Sequence, residues 1–269
     1  MKYLFGKPIA EKIISDLKES IERENLKPSL AVVLVGSDPA SKIYVSLKQE
    51  AAENSGIGFE LMQFSEEVSE EEILSAIQKL NLDGKTSGII VQLPLPAKLD
   101  TQKIIDAIDP KKDVDGFSVQ SETPMLKPVF PGSIMLLLES SGQEINGKRA
   151  VVLSNSHKFG SIMAGTLEQQ GAIAEYILSS ELENNLEKIK QADIIVSAIG
   201  KPKTVTGGMI KEGAIIVDGG ISKDGKKVLG DVDAESVKSK ASFLSPVPGG
   251  VGPVTIACLL RNVYKEAKS

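Results

Sequence analysis

The sequence predicts an α/β protein of two domains, in which strands and helices alternate around parallel sheets. A length of 269 residues allows one large or two medium domains. In both halves of the chain, short apolar runs alternate with helical stretches, and this alternation indicates βαβ units with right-handed crossovers. A proline-containing stretch at residues 118–130 separates the two halves and is the predicted domain boundary.

The first half is predicted to contain four helices and two buried strands. Residues 7–24 carry an apolar stripe at helical spacing. Residues 30–35 (LAVVLV) and 87–91 (SGIIV) are short apolar runs typical of buried parallel strands. The other predicted helices cover residues 41–55, residues 69–80, which begin with a capping-box pattern, and residues 101–107, which end before Asp109-Pro110.

The second half repeats the alternation. Its predicted strands are residues 149–153, 174–178, 194–198 and 214–218. Its predicted helices are residues 131–141, 161–170 and 254–266. Strands joined through helices in this way predict a second parallel sheet.

Composition excludes several classes of function. A net charge of −5 gives no reason to expect nucleic acid or an anionic membrane as a partner. No apolar run approaches the ~20 residues that span a bilayer, and the N-terminal apolar stretch is too short for a signal peptide. Cys258 and His157 are the only residues of their types, which argues against disulfides, thiolate clusters, histidine-based zinc sites and Ser-His-Asp triads. We therefore expect a cytoplasmic protein without a metal site.

Residues 36–48 (GSDPASKIYVSLK) form the first candidate functional segment. Pro39 after small polar residues is typical of a helix start, and in that helix Tyr44 and Lys48 are four residues apart on one face. A phenol beside an ammonium in a partly dry cleft can lower the lysine pKa and allow the lysine to shuttle protons. The alternative is a solvated Tyr-Lys contact on the surface.

Two further segments could complete an acid/base site for a nitrogen-rich ring. Gln92 follows a buried strand, at the sheet edge where open α/β folds bind ligands, and could hydrogen-bond Lys48 or only cap backbone groups. Residues 93–96 (LPLP) should form a stiff apolar wall, because prolines cannot continue a central strand. Asp113 and Asp115 could accept hydrogen bonds from an amino-pyrimidine edge, although a solvated Asp-Gly turn is the alternative.

The second half has a candidate dinucleotide edge. Residues 154–160 (SNSHKFG) follow a strand and lead into a helix, where dinucleotide-binding folds place a phosphate loop, but one glycine does not match G-x-G-x-x-G. Residues 200–202 and 218–220 end two more strands at the same edge. Residues 246–255 (PVPGGVGPVT) can approach a ligand closely, since five of them offer little side-chain obstruction; a domain linker is the alternative.

Together these segments resemble the bifunctional methylenetetrahydrofolate dehydrogenase/methenyltetrahydrofolate cyclohydrolase family over nearly the full chain. The resemblance rests on residues 38–48, 91–96, 112–117 (KDVDGF), 230–233 (GDVD) and 246–255, in this order. It implies an N-terminal α/β folate-binding catalytic domain, a Rossmann-type dinucleotide-binding domain, and a C-terminal helix that returns to the first domain. The expected division is residues 1–117 with 253–269 for folate and residues 118–252 for the cofactor. The resemblance also implies a homodimer.

The family oxidises 5,10-methylenetetrahydrofolate to the 5,10-methenyl form with NADP, or NAD in some members, and hydrolyses that product to 10-formyltetrahydrofolate. This chemistry belongs to one-carbon metabolism and purine biosynthesis. By motif position, the resemblance implies that Lys48 is the lysine that shuttles protons in the hydrolytic step and that Gln92 adjusts its protonation. It also implies that Tyr44 orients the folate and that Asp115 binds the pterin. Other implied substrate contacts are Leu93, Pro94, Pro248, Gly249 and Gly250. Implied cofactor contacts are Ser154, Asn155, Ser156, Lys158, Gly160, Ser197, Ile199, Gly200, Ile221, Gly252 and Thr255.

The cofactor half departs from the family pattern. Residues 154–156 (SNS) stand where the family usually has Gly-Arg-Ser, and residues 128–131 (PVFP) replace Pro-Cys-Thr-Pro. No arginine lies between Arg149 and Arg261, so the guanidinium that usually receives a 2′-phosphate has no counterpart. Three interpretations stay open: NADP held by Lys158 and backbone amides, NAD with Glu175 or a nearby serine on the ribose, or an impaired cofactor site with mainly cyclohydrolase activity. Weaker NADP binding than in a typical relative is our hypothesis.

Two alternatives come from other classes of protein. One is a non-catalytic folate- or dinucleotide-binding module. Lys48 argues against this alternative, since a protein that only binds its ligand has little need of a lysine in the pocket. The other is a different Rossmann oxidoreductase, such as a shikimate-dehydrogenase-like enzyme. Residues 92–96 and 246–255 separate that enzyme from the folate family.

Overall fold

A computed structural model describes residues 1–116, 128–225 and 227–269. The chain forms two compact units, here named by their main sheets. The six-stranded unit comprises Met1–Ile9 and Phe130–Thr255, and the three-stranded unit comprises Ala10–Val129 and Ile256–Ser269. Most of the predicted boundary stretch lies outside the described residues. The functional division at residues 117 and 253 stays a prediction.

Strands and helices alternate along the described chain, as expected for an α/β fold. The strands are β1 (Lys2–Tyr3), β2 (Ser29–Val35), β3 (Gly58–Phe64), β4 (Gly88–Val91), β5 (Arg149–Ser154), β6 (Ile173–Leu178), β7 (Ile194–Ala198), β8 (Ile215–Asp218), β9 (Ser222–Asp224), β10 (Lys227–Leu229) and β11 (Phe243–Leu244). The helices are α1 (Gly6–Glu24), α2 (Pro39–Ser55), α3 (Glu70–Leu82), α4 (Thr101–Asp106), α5 (Val129–Ser140), α6 (His157–Glu168), α7 (Leu186–Gln191), α8 (Ala234–Val237) and α9 (Val251–Glu266).

The three-stranded unit is a parallel sheet in the order β3-β2-β4. The apolar residues of β2 and β4 are buried, as a continuous apolar run in a parallel sheet predicts. Ile73, Ile77 and Leu80 of α3 pack into the same core as Val33 and Ile89 of the sheet. This core fixes the carboxyl end of β4, where Gln92 follows.

The C-terminal half of α9 joins the three-stranded unit, as the resemblance implied. Asn262 is buried, and its Nδ2 donates to the carbonyl oxygen of Val114 at 2.9 Å. The Tyr264 hydroxyl donates to Glu24 at 2.9 Å. The last helix therefore braces the turn that carries Asp113 and Asp115.

The six-stranded unit is a parallel sheet in the order β1-β11-β8-β7-β5-β6. In the sheet, β6 lies on one side of β5, and β7, the next strand in the chain, lies on the other side. The direction in which successive strands are added therefore reverses at β5. Ligands of open α/β sheets bind at such a switch point, outside the carboxyl ends of the strands. In this unit the switch point lies between the segments that follow β5 and β7.

Some elements differ from the sequence prediction. α6 begins at His157 rather than at residue 161, because the hydroxyl of Ser156 accepts a hydrogen bond from the Phe159 amide and caps the helix. α9 begins at Val251, so Gly252 and Thr255 belong to its first turns and not to a loop. Seven elements were not predicted: β1, β3, β9, β10, β11, α7 and α8. All but β3 are short, with two to six residues, and β3 is an edge strand with many exposed side chains.

Within the described residues, no helix combines the length and apolar character that crossing a membrane requires. The same residues contain no group of three or more histidine, cysteine, aspartate or glutamate side chains arranged to hold a metal ion. The single cysteine, Cys258, is buried.

Candidate functional site

Helix α2 places Tyr44 and Lys48 one turn apart. Its start is fixed by Asp38, whose carboxylate accepts hydrogen bonds from the Ser41 amide at 2.7 Å and the Ser41 hydroxyl at 3.0 Å. Pro39 follows this cap at the first helical position, where its missing N–H costs nothing. The predicted helix is confirmed, and both candidate side chains are half-buried on it.

Gln92 is hydrogen-bonded to Lys48, as one of the two sequence interpretations proposed. The Lys48 ammonium donates to Gln92 Oε1 at 2.9 Å. Gln92 Nε2 donates to the Leu93 carbonyl oxygen at 2.7 Å, and this second bond turns the amide oxygen towards the lysine. The side chains that touch here are 44 residues apart in sequence, so only the fold brings them together.

Burial moves the pKa values of Lys48 and Asp115 towards neutrality. Burial lowers the pKa of Lys48, and the carboxylate of Asp115 opposes that shift. Burial raises the pKa of Asp115 from 3.8 to about 6; Lys48 lowers it, and the neighbouring Asp113 raises it further. Burial also raises the pKa of Tyr44, so its phenol stays protonated at neutral pH. The shift at Lys48 thus comes from burial and not from the phenol that the sequence suggested.

Asp113 and Asp115 have different roles in their turn. Asp113 is 1% exposed, and its Oδ1 accepts a hydrogen bond from the Gly116 amide at 3.0 Å. The backbone of Asp113 also bridges to Ile89 beside β4. Asp113 therefore holds the turn, and Asp115 is the half-buried carboxyl that acts on Lys48.

The segment after β5 in the six-stranded unit is suited to an anion. The buried hydroxyl of Ser154 donates to the Ser156 carbonyl oxygen and accepts from the Ser156 amide, both at 3.0 Å. No acidic residue lies in the first turn of α6, and Lys158 is exposed there. A helix start that has backbone N–H groups and a cation, and no carboxylate, fits the phosphates of a dinucleotide.

The segments on either side of the switch point are joined directly. The side-chain amide of Asn155 donates to the carbonyl oxygen of Ile199 at 3.1 Å. The side-chain amide of Asn155 thus ties the loop after β5 to the segment after β7. Gly160 is buried against Tyr176 of β6, and an added Cβ would lie 2.7 Å from the ring. The helix–strand contact that the third glycine of a dinucleotide fingerprint permits is therefore retained.

Family models match both parts of the chain. The model described as tetrahydrofolate dehydrogenase/cyclohydrolase, catalytic domain, matches residues 4–115. The model described as tetrahydrofolate dehydrogenase/cyclohydrolase, NAD(P)-binding domain, matches residues 128–269. The chain belongs to the tetrahydrofolate dehydrogenase/cyclohydrolase family.

Relatives and solved structures agree over the full length. The chain is 46% identical to the bifunctional protein FolD of Methanoculleus marisnigri, covering 98% of this chain and 96% of that protein. The FolD dehydrogenase/cyclohydrolase of Campylobacter jejuni superposes with a TM-score of 0.93 at 38% identity, covering 100% and 99% of the two chains. The Trypanosoma brucei FolD, solved with NADP and an inhibitor, gives a TM-score of 0.92 at 31% identity, covering 98% and 96%.

Membership makes this chain an enzyme with dehydrogenase and cyclohydrolase activities on tetrahydrofolate derivatives, and an NAD(P)-binding domain lies in its second half. Nothing in these matches favours a mainly hydrolytic enzyme or a non-catalytic binding module.

The remaining predicted site residues, which lie between Pro248 and Thr255, belong to the six-stranded unit. The carbonyl oxygen of Gly249 accepts from the Gly6 amide at 2.8 Å, and the Gly250 amide donates to the Pro246 carbonyl at 2.7 Å. Gly249 has a φ of +105°, which an L side chain rarely adopts. The Thr255 hydroxyl donates to the Gly252 carbonyl inside α9. Pro248 precedes Gly249 and follows a cis peptide bond.

Glu175, the candidate ribose ligand of an NAD enzyme, is bound elsewhere. It accepts a hydrogen bond from Lys188 of α7 at 2.8 Å. Ile221 is 45% exposed beyond β8, and the Gly200 carbonyl accepts from the Ser222 hydroxyl at 2.8 Å. Gly200 and Ile221 follow the carboxyl ends of β7 and β8, as the sequence predicted, whereas Glu175 lies within β6. Their contacts with a cofactor stay predictions.

Sequence reasoning missed two buried carboxylates behind this edge. Asp218 and Asp231 are 3% and 0% exposed, and each binds backbone amides of the family's cofactor half. A signal for them exists in the sequence: each acid adjoins a glycine, in residues 218–220 (DGG) and 230–231 (GD).

Proposed function

We propose that the enzyme oxidises 5,10-methylenetetrahydrofolate to 5,10-methenyltetrahydrofolate with NADP, and hydrolyses the product to 10-formyltetrahydrofolate. The observation that carries the hydrolytic half is Lys48, half-buried and hydrogen-bonded to Gln92, with Asp115 acting on its charge. A binding module has no need of a lysine whose pKa is lowered. We assign folate chemistry to residues 1–117 with 253–269 and cofactor binding to residues 118–252.

Hydrolysis needs a group that both takes and gives a proton near neutral pH. In the proposed mechanism water adds to the electrophilic methenyl carbon and passes a proton to the neutral Lys48 amine. The resulting ammonium gives a proton to the ring nitrogen whose bond to that carbon breaks, and one proton leaves to solvent overall. The lowered pKa of Lys48 supports this role, because a lysine at its ordinary pKa holds its proton too firmly to act as a base.

The neighbouring side chains orient the lysine and the substrate. Gln92 holds the Lys48 amine through its oxygen and is itself held by the Leu93 carbonyl. Asp115, once ionised, can accept hydrogen bonds from the amino-pyrimidine edge of the pterin and keeps part of the Lys48 population charged. Tyr44 presents a protonated phenol one turn before Lys48, together with a ring face for the folate. Leu93 and Pro94 follow Gln92 as an apolar wall.

Oxidation needs alignment more than acid or base. A bound NADP would accept a hydride from the one-carbon bridge of the folate. The residues around the cofactor have to align its nicotinamide with that bridge. The residues we assign to this task are Ser154, Asn155, Ser156, Lys158 and Gly160 after β5, Ser197, Ile199 and Gly200 after β7, and Ile221, Gly252 and Thr255. Pro248, Gly249 and Gly250 are assigned to the substrate.

The ion pair between Glu175 and Lys188 favours NADP over NAD as the cofactor. An NAD enzyme uses a free carboxylate on the ribose hydroxyls, whereas Glu175 is paired with Lys188. Lys158 supplies a point charge for the 2′-phosphate, but it lacks the bidentate geometry of arginine. We therefore expect NADP to bind more weakly than in relatives that retain the arginine, and a dissociation constant for NADP equal to that of such a relative would contradict this.

A spectrophotometric assay with 5,10-methylenetetrahydrofolate and either NADP or NAD tests the proposal. Reduced cofactor with NADP supports it. Hydrolysis of supplied methenyltetrahydrofolate, with no reduced cofactor formed in the first assay, would support the mainly hydrolytic alternative.

Lys48→Met should abolish hydrolysis in a folded protein. Lys42→Met is the control, because Lys42 is exposed on the same helix, and it should leave hydrolysis unchanged. Hydrolysis retained in Lys48→Met would refute the role of Lys48.

We also propose a cytoplasmic homodimer that serves one-carbon metabolism and purine biosynthesis. Strand β6 forms one edge of the six-stranded sheet, and Ile173 at its start is 66% exposed. An exposed apolar edge strand is a surface that another chain can cover. Sedimentation at twice the mass of the chain would support the dimer, and a monomer at micromolar concentration would contradict it.

A further inference from the structure

The buried carboxylate of Asp231 takes no part in the chemistry proposed above, yet it binds the segment after β7. We propose that Asp231 is a positioning residue that fixes residues 199–201 for dinucleotide binding. The inference rests on the proposed function in one respect, namely that the dinucleotide occupies this edge of the six-stranded unit.

Asp231 accepts hydrogen bonds from three groups around that segment. Its Oδ2 accepts from the Ile199 amide at 2.6 Å and from the Ser197 hydroxyl at 2.8 Å. Its Oδ1 accepts from the Lys201 amide at 2.9 Å. Residues 199–201 cannot continue the strand ladder, since Gly200 has a φ of +75°. A single buried carboxylate therefore supplies the partners that the sheet no longer offers to these amides.

Asp218 holds the segment that carries Asp231. Its Oδ1 accepts from the Asp231 amide at 3.1 Å and its Oδ2 from the Val232 amide at 2.9 Å. A Cβ on Gly220 would overlap the carboxyl of Asp231, and a Cβ on Gly230 would overlap that of Asp218. Each carboxylate thus packs against a glycine of the other's segment, and neither glycine leaves room for a side chain.

The position of residues 199–201 matters on both sides of the switch point. The carbonyl oxygen of Ile199 accepts from Asn155, which lies in the loop after β5. The carbonyl oxygen of Gly200 accepts from the Ser222 hydroxyl. A change at Asp231 should therefore reach the loops after both β5 and β7, between which a dinucleotide binds in folds of this type.

The competing explanation is that Asp231 only stabilises the fold. In that case its loss should lower thermal stability and reduce both activities together. A positioning role predicts a different result, because hydrolysis uses residues of the three-stranded unit and requires no dinucleotide. Only NADP affinity and the KM for NADP should then change.

The test compares Asp231→Asn with Asp233→Asn. The isosteric amide has one acceptor oxygen, so its NH₂ group must face at least one of the amides that the carboxylate now binds. We expect the dissociation constant and the KM for NADP to rise about ten- to hundredfold, the usual effect of losing a hydrogen bond to a charged acceptor. Hydrolysis of methenyltetrahydrofolate and the kcat for oxidation should stay within about twofold of wild type. Asp233, which makes no side-chain cap to α8, should show no change.

Asp218→Asn provides a second variant if Asp231→Asn does not fold. Its NH₂ group would face at least one of the amides that Asp218 now accepts from in the segment of Asp231, and the KM for NADP should rise about two- to tenfold with hydrolysis unchanged. Unchanged NADP affinity in the folded variants would overturn the positioning role. A parallel loss of both activities with a lower melting temperature would overturn it as well. A wild-type enzyme that binds neither NADP nor NAD would overturn the proposed oxidation, and the role of Asp231 with it.

Discussion

Replacing Asp115 by asparagine should make the protein more stable and less active at neutral pH. The folded state raises the pKa of this carboxyl from 3.8 to about 6, mainly through burial. Between these two pH values the folded chain keeps a proton that the unfolded chain releases, so wild-type stability falls as the pH rises. At 1.36 kcal/mol per pKa unit, ionised Asp115 costs up to about 3 kcal/mol above pH 6. Asparagine cannot ionise and avoids this cost.

Urea denaturation of wild type and Asp115→Asn, followed by circular dichroism between pH 4 and pH 8, measures the difference. Circular dichroism is the suitable signal because the chain has no tryptophan. The stability advantage of the variant should be near zero at pH 4 and grow to about 1–3 kcal/mol by pH 7.5. Asp16→Asn is the matched control: Asp16 is exposed and pairs with the exposed Lys12, so the loss of its charge should change stability by less than about 1 kcal/mol at any pH.

The activity of Asp115→Asn tests the role of this carboxyl in substrate binding, separately from its effect on stability. If ionised Asp115 binds the pterin, Asp115→Asn should lower kcat/KM for folate about ten- to hundredfold at pH 7.5. The acid limb of the wild-type profile, expected near pH 6, should then disappear. An advantage in stability that does not change with pH, or a variant less stable than wild type at pH 7.5, would refute the electrostatic reasoning.

Two further predictions concern packing and the lysine. Gly160→Ala should cost about 1–3 kcal/mol and weaken NADP binding, because the new methyl would meet the ring of Tyr176. Gly165→Ala on the same helix has open space and should stabilise by up to about 1 kcal/mol; equal effects of the two in thermal unfolding would contradict this explanation. Gln92→Met removes the acceptor of the Lys48 ammonium and should lower the kcat of hydrolysis about ten- to hundredfold. Hydrolysis within twofold of wild type would show that Lys48 does not need its amide partner.

The α/β class, most of the longer helices and strands, and the candidate residues for hydrolysis could be predicted from sequence patterns alone. Buried parallel strands are continuous apolar runs, and helices show their periodicity and caps, so local patterns were sufficient for these elements. The pairing of Lys48 with Gln92 was also inferable, because one side chain lies on a helix beside the sheet and the other follows a strand at its carboxyl edge.

The burial of Asp218 and Asp231 could be found only in the folded chain. Nothing in the local sequence distinguishes a solvated Asp beside a glycine from a carboxylate buried among backbone amides. The partners of Asp231 are 30 to 34 residues away in sequence. The sequence predicted a lowered pKa at Lys48 but attributed it to the phenol of Tyr44, and it gave no shift for Asp115. Both shifts come mainly from burial, which depends on how the whole unit packs around these side chains.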